Sequence, residues 1–365
     1  MYKIPRLPLP FELEDREVLK LTLLARSSLA ELKGLVQTIP NESILLNTLT
    51  LQEAKDSSEV ENIVTTHDDL YKTELRVSDY IGSAATKEVL RYRQAIKVGF
   101  EAVRKNFLLT NSVIKKVQGE LVGAESGFRV MPGTALRDMS GGVVYRPPQE
   151  SQEIERLMMD LERFINEPEL TDLDPLVKMA IIHHQFESIH PFYDGNGRTG
   201  RIVSILYLIA NQLLDLPILY LSRYITHNKR SYYELIQDIR DCEEADRPKA
   251  WKAWLVFILR GVDETARHTI AMVKGISGLM VETKRVLRPG MGKVYRHELL
   301  NHLFFQPYTK IEFMQEAMGV KRKTASKYLD QIVELGLLRK VKVGRDNYYI
   351  NQKLVDLLMN HQDLG

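Results

Sequence analysis

The stretch His190-Pro191-Phe192-Tyr193-Asp194-Gly195-Asn196-Gly197-Arg198-Thr199-Gly200-Arg201 places a proton carrier, a carboxylate, a glycine-bracketed turn and two guanidiniums within twelve residues. Gly195, Asn196 and Gly197 can take the positive φ angles that turn successive backbone N–H groups toward one point. A helix that starts directly afterwards offers its N-terminus to an anion. Arg198 and Arg201, three residues apart, share a face of its first turn and match phosphate oxygens in geometry. Together these features describe a polyphosphate cradle. Asp194 at its edge can hold Mg²⁺ with phosphate oxygens and waters. His190 is the residue of this segment suited to proton transfer near neutral pH. Taken singly, each has a plainer reading. Asp-Gly-Asn-Gly is an ordinary turn, His190 a helix C-cap, and Asp194 a turn stabiliser acting through its own backbone. Their coincidence in twelve residues favours the cradle.

The elements that must position this segment are mostly helical. Pro175, at a favourable first position, opens a predicted helix from Leu176 to about Ser188, and Pro191 ends it. Arg198 onward reads as a helix with Ile202, Ile205, Leu206 and Ile209 on its apolar face. Upstream, Glu14 to Leu35 carries Val18, Leu21, Leu24, Leu29 and Leu32 at helical spacing, and a further helix is expected from Thr86 to Leu108. Glycines and prolines between Gly127 and Pro148 break up two short runs, Phe128–Met131 and Val143–Tyr145, which predicts a small hairpin. Downstream, helices are expected over Tyr232–Arg240, Ala250–Leu259 and a long stretch to about Val286, with Pro289-Gly290-Met291-Gly292 as a linker. The predicted fold class is mainly α with one hairpin.

Composition sets the bounds. With 44% hydrophobic and 27% charged residues among 365, the chain is expected to fold into two or three domains. The single Cys242 excludes an internal disulfide framework and a multi-cysteine zinc site, and suits a reducing, cytoplasmic setting. The most apolar stretch, Ile202 to Leu221, is interrupted by Asn211, Gln212, Asp215 and Pro217, so it reads as a buried helix with its exit loop and no membrane partner is expected. A net charge of +2 hides an asymmetry: Lys284 to Ile350 holds 14 Lys+Arg against 6 Asp+Glu, net +8, and the remainder is net −6.

At every specified position the 190–201 segment matches His-Pro-Phe-x-Asp-Gly-Asn-Gly-Arg-x-x-Arg, the signature of the Fic family, and the chain resembles that family over roughly residues 1–286. The resemblance implies a helical core with a β-hairpin flap. It also implies the activity of most such proteins, transfer of AMP from ATP to a Ser, Thr or Tyr hydroxyl of a protein target, the enzyme itself included, with release of pyrophosphate. Carried over by position, His190 is the base, Asp194 the Mg²⁺ ligand, and Gly195, Asn196 and Gly197 the anion nest. Arg198 holds phosphates and Arg201 orients the γ-phosphate, with Thr199 and Gly200 in the same nucleotide-binding segment and Phe192 as a buried anchor. The related kinase branch, resembling Doc, lacks the full motif with its second arginine, so AMP transfer is implied over phosphorylation. The hairpin corresponds to the family's flap, which clamps a target backbone by strand addition and brings Gly133, Thr134, Ala135 and Leu136 near the nucleotide. An ordinary surface hairpin is the other reading, because Pro132 and Gly133 stand where a regular strand is frequent. Tyr232 and Tyr233 correspond to an adenine-side pair; plain core packing is their alternative.

Ser57-Ser58-Glu59-Val60-Glu61-Asn62 also has two readings. Asp56-Ser57-Ser58 offers N-caps for a short helix, with Ser58 and Glu61 as a capping box. Alternatively, Ser57, Glu61 and Asn62 fit the family's inhibitory pattern [Ser/Thr]-x-x-x-Glu-[Gly/Asn]. Beside the full motif the second reading is preferred, and the resemblance then implies that Glu61 pairs with Arg201 and denies it to the γ-phosphate. In some relatives the same glutamate helps remove AMP by positioning water. The expected organisation is an N-terminal helical region over 1–100 with an inhibitory helix near 57–65, a catalytic core over 101–286, and a third module over 293–365.

That module shows predicted helices Tyr295–Phe304, Lys310–Met318 and Lys323–Leu335, then a basic hairpin, Leu338–Val343 and Asn347–Ile350, turning at Gly344-Arg345-Asp346. It resembles a winged helix. Lys321, Arg322 and Lys323 crowd the start of the third helix, where cations oppose the macrodipole, an arrangement suited to DNA phosphates; protein docking is the other use of such modules. Homodimerisation is compatible with the family resemblance. Two other functions compete. A metal-dependent phosphohydrolase would use His183, His184, His190 and Asp194, but adjacent helical residues point about 100° apart. A DNA-binding regulator would sense nucleotide without chemistry.

Overall fold

Asp15 accepts hydrogen bonds from the backbone N–H groups of Glu17 and Val18 and so opens α1 (Arg16–Val36). Asn41 caps α2 (Glu42–Val60) in the same way. Then follow α3 (His67–Glu74), α4 (Ala84–Val103) under a Ser83 cap, and α5 (Asn111–Val122) under Thr110. A two-stranded hairpin, β1 (Leu136–Arg137) with β2 (Val143–Tyr145), leads into α6 (Ser151–Asn166). The middle of the chain is α7 (Pro175–Ile189), α8 (Asn196–Ala210), α9 (Leu221–His227), α10 (Lys229–Asp241) and the 45-residue α11 (Arg247–Met291). The last part contains α12 (His297–Phe305), β3 (Tyr308–Lys310), α13 (Ile311–Met318), α14 (Arg322–Glu334), β4 (Arg339–Val343), β5 (Asp346–Ile350) and α15 (Gln352–Asn360). This computed structural model describes residues 2–74, 82–124, 127–138, 140–343 and 346–360.

Burial explains the layout. All residues of α7 from Leu176 to Ile189 are buried, as is α8 apart from Gly197 and Ala210. A helix buried on every side belongs at the centre of a bundle. The pair α7–α8 is enclosed by α4, α5, α6, α2 and α11, while α1 packs along α11. No helix among the described residues is long and apolar enough to cross a membrane. The C-terminal strands form an antiparallel sheet in the order β3-β5-β4, and β5 pairs Ile350 with both Tyr308 and Arg339. One hydrophobic core runs from α1 to α15 and includes Leu299, Leu303 and Phe304 of α12.

Three sequence expectations need correction. Glu59 to Asn62 do not sit in a short helix of their own: Ser57 and Ser58 lie in the last turn of α2, and Glu61 is its C-cap. The capping-box reading fails for that reason, since Ser58 is at the wrong end of a helix. Residues Phe128–Met131 form no strand; the first strand of the hairpin is Leu136–Arg137. The expected linker 289–292 is mostly helix, because α11 continues through Pro289 to Met291. A proline forfeits one ladder bond there, and the buried Leu287 and Met291 still anchor that last turn. Of the basic hairpin, Gly344 and Arg345 lie outside the described residues.

Candidate active site

The motif begins in the six-residue link from α7 to α8, residues 190–195, and the shape of that link follows from its sequence. His190 ends α7 in the left-handed region, with φ 49°. A non-glycine residue there costs on the order of 1–3 kcal/mol and persists only where its surroundings fix it. They do so here. The His190 carbonyl accepts from Arg129 Nε at 2.8 Å, and the Arg129 backbone N–H donates to the Pro191 carbonyl at 2.8 Å. Phe192 is fully buried. Asn196 folds back on it, accepting from the Phe192 N–H and donating to the Phe192 carbonyl, both at 2.8 Å. The Asn196 side chain therefore braces the loop. Gly195 supplies the φ of 75° that admits the chain to α8. No side chain caps α8, so its first N–H groups remain available to an anion.

The anion that stands there is Glu61. A Cβ at Gly197 would collide with Glu61 Oε1, so glycine is what permits the carboxylate to lie against the first turn of α8. Glu61 Oε1 also accepts from Arg201 Nη2 at 2.8 Å. The same Nη2 donates to the Ser57 carbonyl at 2.9 Å, and Arg201 Nε donates to Ser57 Oγ at 2.7 Å. Arg201 is only 2% exposed. Burial would raise the Glu61 carboxyl, but the charge and hydrogen bond of Arg201, aided by Arg198 and Lys229, hold it below the usual value. Asn62, with φ 61°, accepts from Lys229 Nζ at 2.9 Å.

His190 is a neutral imidazole at pH 7. Burial, then the guanidiniums of Arg240 and Arg129, push it down to about 4. The Glu187 backbone, acting on the ring as a hydrogen-bond partner, opposes that shift. Asp194 points outward, 77% exposed, with Oδ1 accepting from the Gly195 N–H at 2.6 Å. Arg198 is nearly buried and paired to Glu88 Oε2 at 2.9 Å, a partner that sequence did not suggest. Thr199 is buried within α8, and Gly200 lies against Glu187 and Phe186. The Glu187 carboxyl is pushed up to about 7 by burial, against the nearby Arg201 charge.

Tyr232 and Tyr233 part company. Tyr232 is buried, with its hydroxyl 2.8 Å from His183 Nε2. It packs in the core, within reach of the Glu187 and Arg201 charges. Tyr233 is 44% exposed, and burial followed by the nearby Glu61 carboxylate raises its hydroxyl above the usual value. Gly133 donates its N–H to Gln149 Oε1 at 2.7 Å, and Gln149 Nε2 donates to the Thr134 carbonyl at 3.0 Å. Ala135 and Leu136 lead into β1. Two residues escaped sequence reasoning. Tyr193, the variable position of the motif, accepts the N–H groups of Val130 and Met131 at 3.0 and 2.8 Å. Arg129 is wholly buried beneath the hairpin, although an arginine between loop residues carries no signal of burial.

Comparisons with known proteins bear on the family and the fold. Residues 19–101 match the Fic/DOC family N-terminal model, residues 108–208 the Fic/DOC family model, and residues 279–354 the C-terminal domain model of SoFic-like protein adenylyltransferases. The two Fic/DOC models together take in just over half of the chain. The chain belongs to the Fic/DOC family. A probable protein adenylyltransferase of Aquifex aeolicus is 32% identical over 186 residues, 50% of this chain and 54% of that protein. The protein adenylyltransferase Fic of Drosophila erecta is 43% identical over 47 residues, 13% of this chain and 10% of that protein. The chain thus spans about half the length of the first of these curated relatives and far less of the second. Among solved structures, a Fic family protein from Desulfovibrio desulfuricans superposes with a TM-score of 0.54 at 18% identity, covering 93% of this chain and 97% of that one. A Fic domain containing signaling protein from Bacteroides thetaiotaomicron gives 0.56 at 19%, covering 69% and 97%. These two show the fold.

Proposed function

We propose that the protein transfers AMP from ATP to a hydroxyl side chain of a protein target, with Glu61 as a built-in brake. The observation that carries this reading is the Glu61–Arg201 pair laid across the uncapped N-terminus of α8. A carboxylate held where the motif expects phosphate marks an anion site under internal competition. In the reaction, the target hydroxyl oxygen bonds to the α-phosphorus while the bond from that phosphorus to the bridging oxygen breaks, releasing pyrophosphate. His190, neutral at pH 7, takes the hydroxyl proton. The first-turn N–H groups of α8 and Arg198 hold the phosphates, and Arg201, once freed, orients the γ-phosphate. The flap presents the target, and Tyr233 lies at the nucleotide rim.

Asp194 suits Mg²⁺: its carboxylate is exposed beside the cradle, and among the described residues no group of three or more His, Cys, Asp or Glu could hold a metal alone. A single protein carboxylate completed by phosphate oxygens and water is a usual arrangement for that ion, which would offset phosphate charge. The phosphohydrolase alternative loses its ligands, since His183 bonds Ser204 and Tyr232 and His184 faces the Ile236 carbonyl within the core.

The test is label transfer by the Glu61→Gly variant with Mg²⁺ and ATP labelled on either the α- or the γ-phosphate. Protein-bound α-label is expected; bound γ-label alone would mean phosphoryl transfer, and no label would remove the enzymatic reading. For the C-terminal module we propose contact with DNA phosphates. Lys321, Lys323, Lys327 and Lys342 are exposed, and the first turn of α14 carries no acidic residue. Salt-dependent binding to duplex DNA is the expected result; binding that ignores salt would count against it. The cysteine count supports a cytoplasmic setting, and sedimentation would check for a homodimer.

A further inference from the structure

The inhibitory glutamate is followed within six residues by α3, and α3 is tied to the C-terminal module. Tyr71 of α3 stacks on Tyr308 of β3, ring centroids 5.0 Å apart and planes within 19°. The Tyr308 hydroxyl donates to Asp68 Oδ1 at 3.0 Å. Tyr71 is buried, so the stack is an internal contact. On the other side, α12 of the same module packs against α2, whose last turn and C-cap carry Ser57 and Glu61. The short stretch between α2 and α3 is braced as well. His67 Nε2 lies 2.7 Å from Gln52 Oε1 of α2, and Thr65 Oγ1 lies 2.7 Å from Thr86 Oγ1. The segment carrying the brake therefore lies between two attachments to the C-terminal module, α12 before Glu61 and Tyr308 after it.

We propose that the C-terminal module holds the brake closed, with Tyr308 as the positioning residue that transmits its placement to Glu61. This rests on the reading of Glu61 as an inhibitor of AMP transfer. The physical basis is differential contact. Glu61 reaches Arg201 only while the end of α2 and the start of α3 stay in register with α8. Part of that register comes from outside the catalytic core: the Tyr71–Tyr308 stack, the Tyr308–Asp68 hydrogen bond and the packing of α12 on α2. A ligand of the C-terminal module that shifts β3 would weaken Glu61's hold and raise activity, because a ligand moves such an equilibrium by its preference for one state. Tyr308 touches neither nucleotide nor target in this scheme.

Two readouts test it on the full chain. In AMP transfer, Tyr308→Ala is expected to exceed wild type by roughly 5- to 10-fold, at the low end of usual coupling between sites. Tyr308→Phe, which keeps the ring and loses the bond to Asp68, should fall between them. In the Glu61→Gly background, Tyr308→Ala should add nothing. A merely structural role would instead lower the rate in both backgrounds. In amide hydrogen exchange, Tyr308→Ala should expose residues 57–66 sooner while α7 and α8 stay protected. Activation by Glu61→Gly with no activation and no faster exchange in Tyr308→Ala overturns the proposal. Absence of transfer in Glu61→Gly would defeat the AMP-transfer reading instead, and the exchange of residues 57–66 would still decide whether the module holds this segment.

Discussion

The loop from His190 to Gly197 and the segment around Glu61 face each other across the same anion site, but they are secured differently. The loop is held by bonds that close within it or beneath it: Asn196 to both backbone groups of Phe192, Arg129 to the His190 carbonyl, Gln118 Nε2 to the Asp194 carbonyl at 3.1 Å. These anchors are buried or part-buried and run between protein groups alone. The Glu61 segment closes on the site chiefly through one partner, Arg201, 140 residues further along the chain. Its other supports are Lys229 of α10 on Asn62 and the α3 contacts to the C-terminal module. A preorganised reacting group and a releasable blocker require that contrast: the first must stay within a fraction of an ångström, and the second must be able to leave.

The largest expected effect breaks the loop side of the comparison. In the Glu61→Gly background, His190→Ala should reduce AMP transfer by at least about 10²-fold, the lower range for loss of a general base, without lowering thermal stability. The pH profile sharpens the same point. His190 is pushed down to about 4, so the neutral base persists as pH falls and is lost only on passing through that value. Transfer by Glu61→Gly should therefore stay level well below 6.5. Folding stability should decline between about 6.5 and 4 as acid favours the unfolded chain, whose histidine binds the proton more readily. A rate limb at the ordinary histidine value would assign proton transfer to another group.

Next in size, Asn196→Ala removes the two bonds on Phe192 and should cost about 1–3 kcal/mol in chemical denaturation, the usual penalty for stranding buried backbone groups. The smallest effect belongs to Lys229→Ala. It frees Asn62 at an exposed contact and should raise transfer by no more than a few-fold, since exposed pairs contribute little. A large activation by Lys229→Ala would move the main hold on the brake from Arg201 to the surface.

The same contrast governs what the sequence made legible. The loop could be read because its chemistry is contiguous: glycine turn, arginine spacing and terminating proline all fall within twelve residues. Its helices were legible from Pro175 and the apolar spacing after Arg198. The brake residues could be named only through resemblance, because Glu61 and Arg201 meet through tertiary packing that no local period encodes. Local rules even misplaced the segment, since Asp56-Ser57-Ser58 looks like a helix start but lies at the end of α2. Only the first strand of the hairpin was misplaced, for a similar reason: Val143–Tyr145 is β2 as expected, and Phe128 to Met131 has strand-like residues, yet buried Arg129 pins it to the motif loop and Tyr193 takes the Val130 and Met131 N–H groups that a strand partner would use. Pro289 looked like a break because its cost is local, whereas the burial of Leu287 and Met291 that retains the helix is not. Tyr232 and Tyr233 share a sequence signal, and only the fold separates the core residue from the one at the rim.

The central claim is that Glu61 blocks AMP transfer by occupying Arg201. The most direct measurement is the initial rate of label transfer from α-labelled ATP, with Mg²⁺ and saturating nucleotide, for wild type and Glu61→Gly side by side. The account predicts a rate at least roughly fivefold higher in the variant, the lower bound of typical site-to-site coupling. Equal rates in two folded, ATP-binding proteins would contradict it.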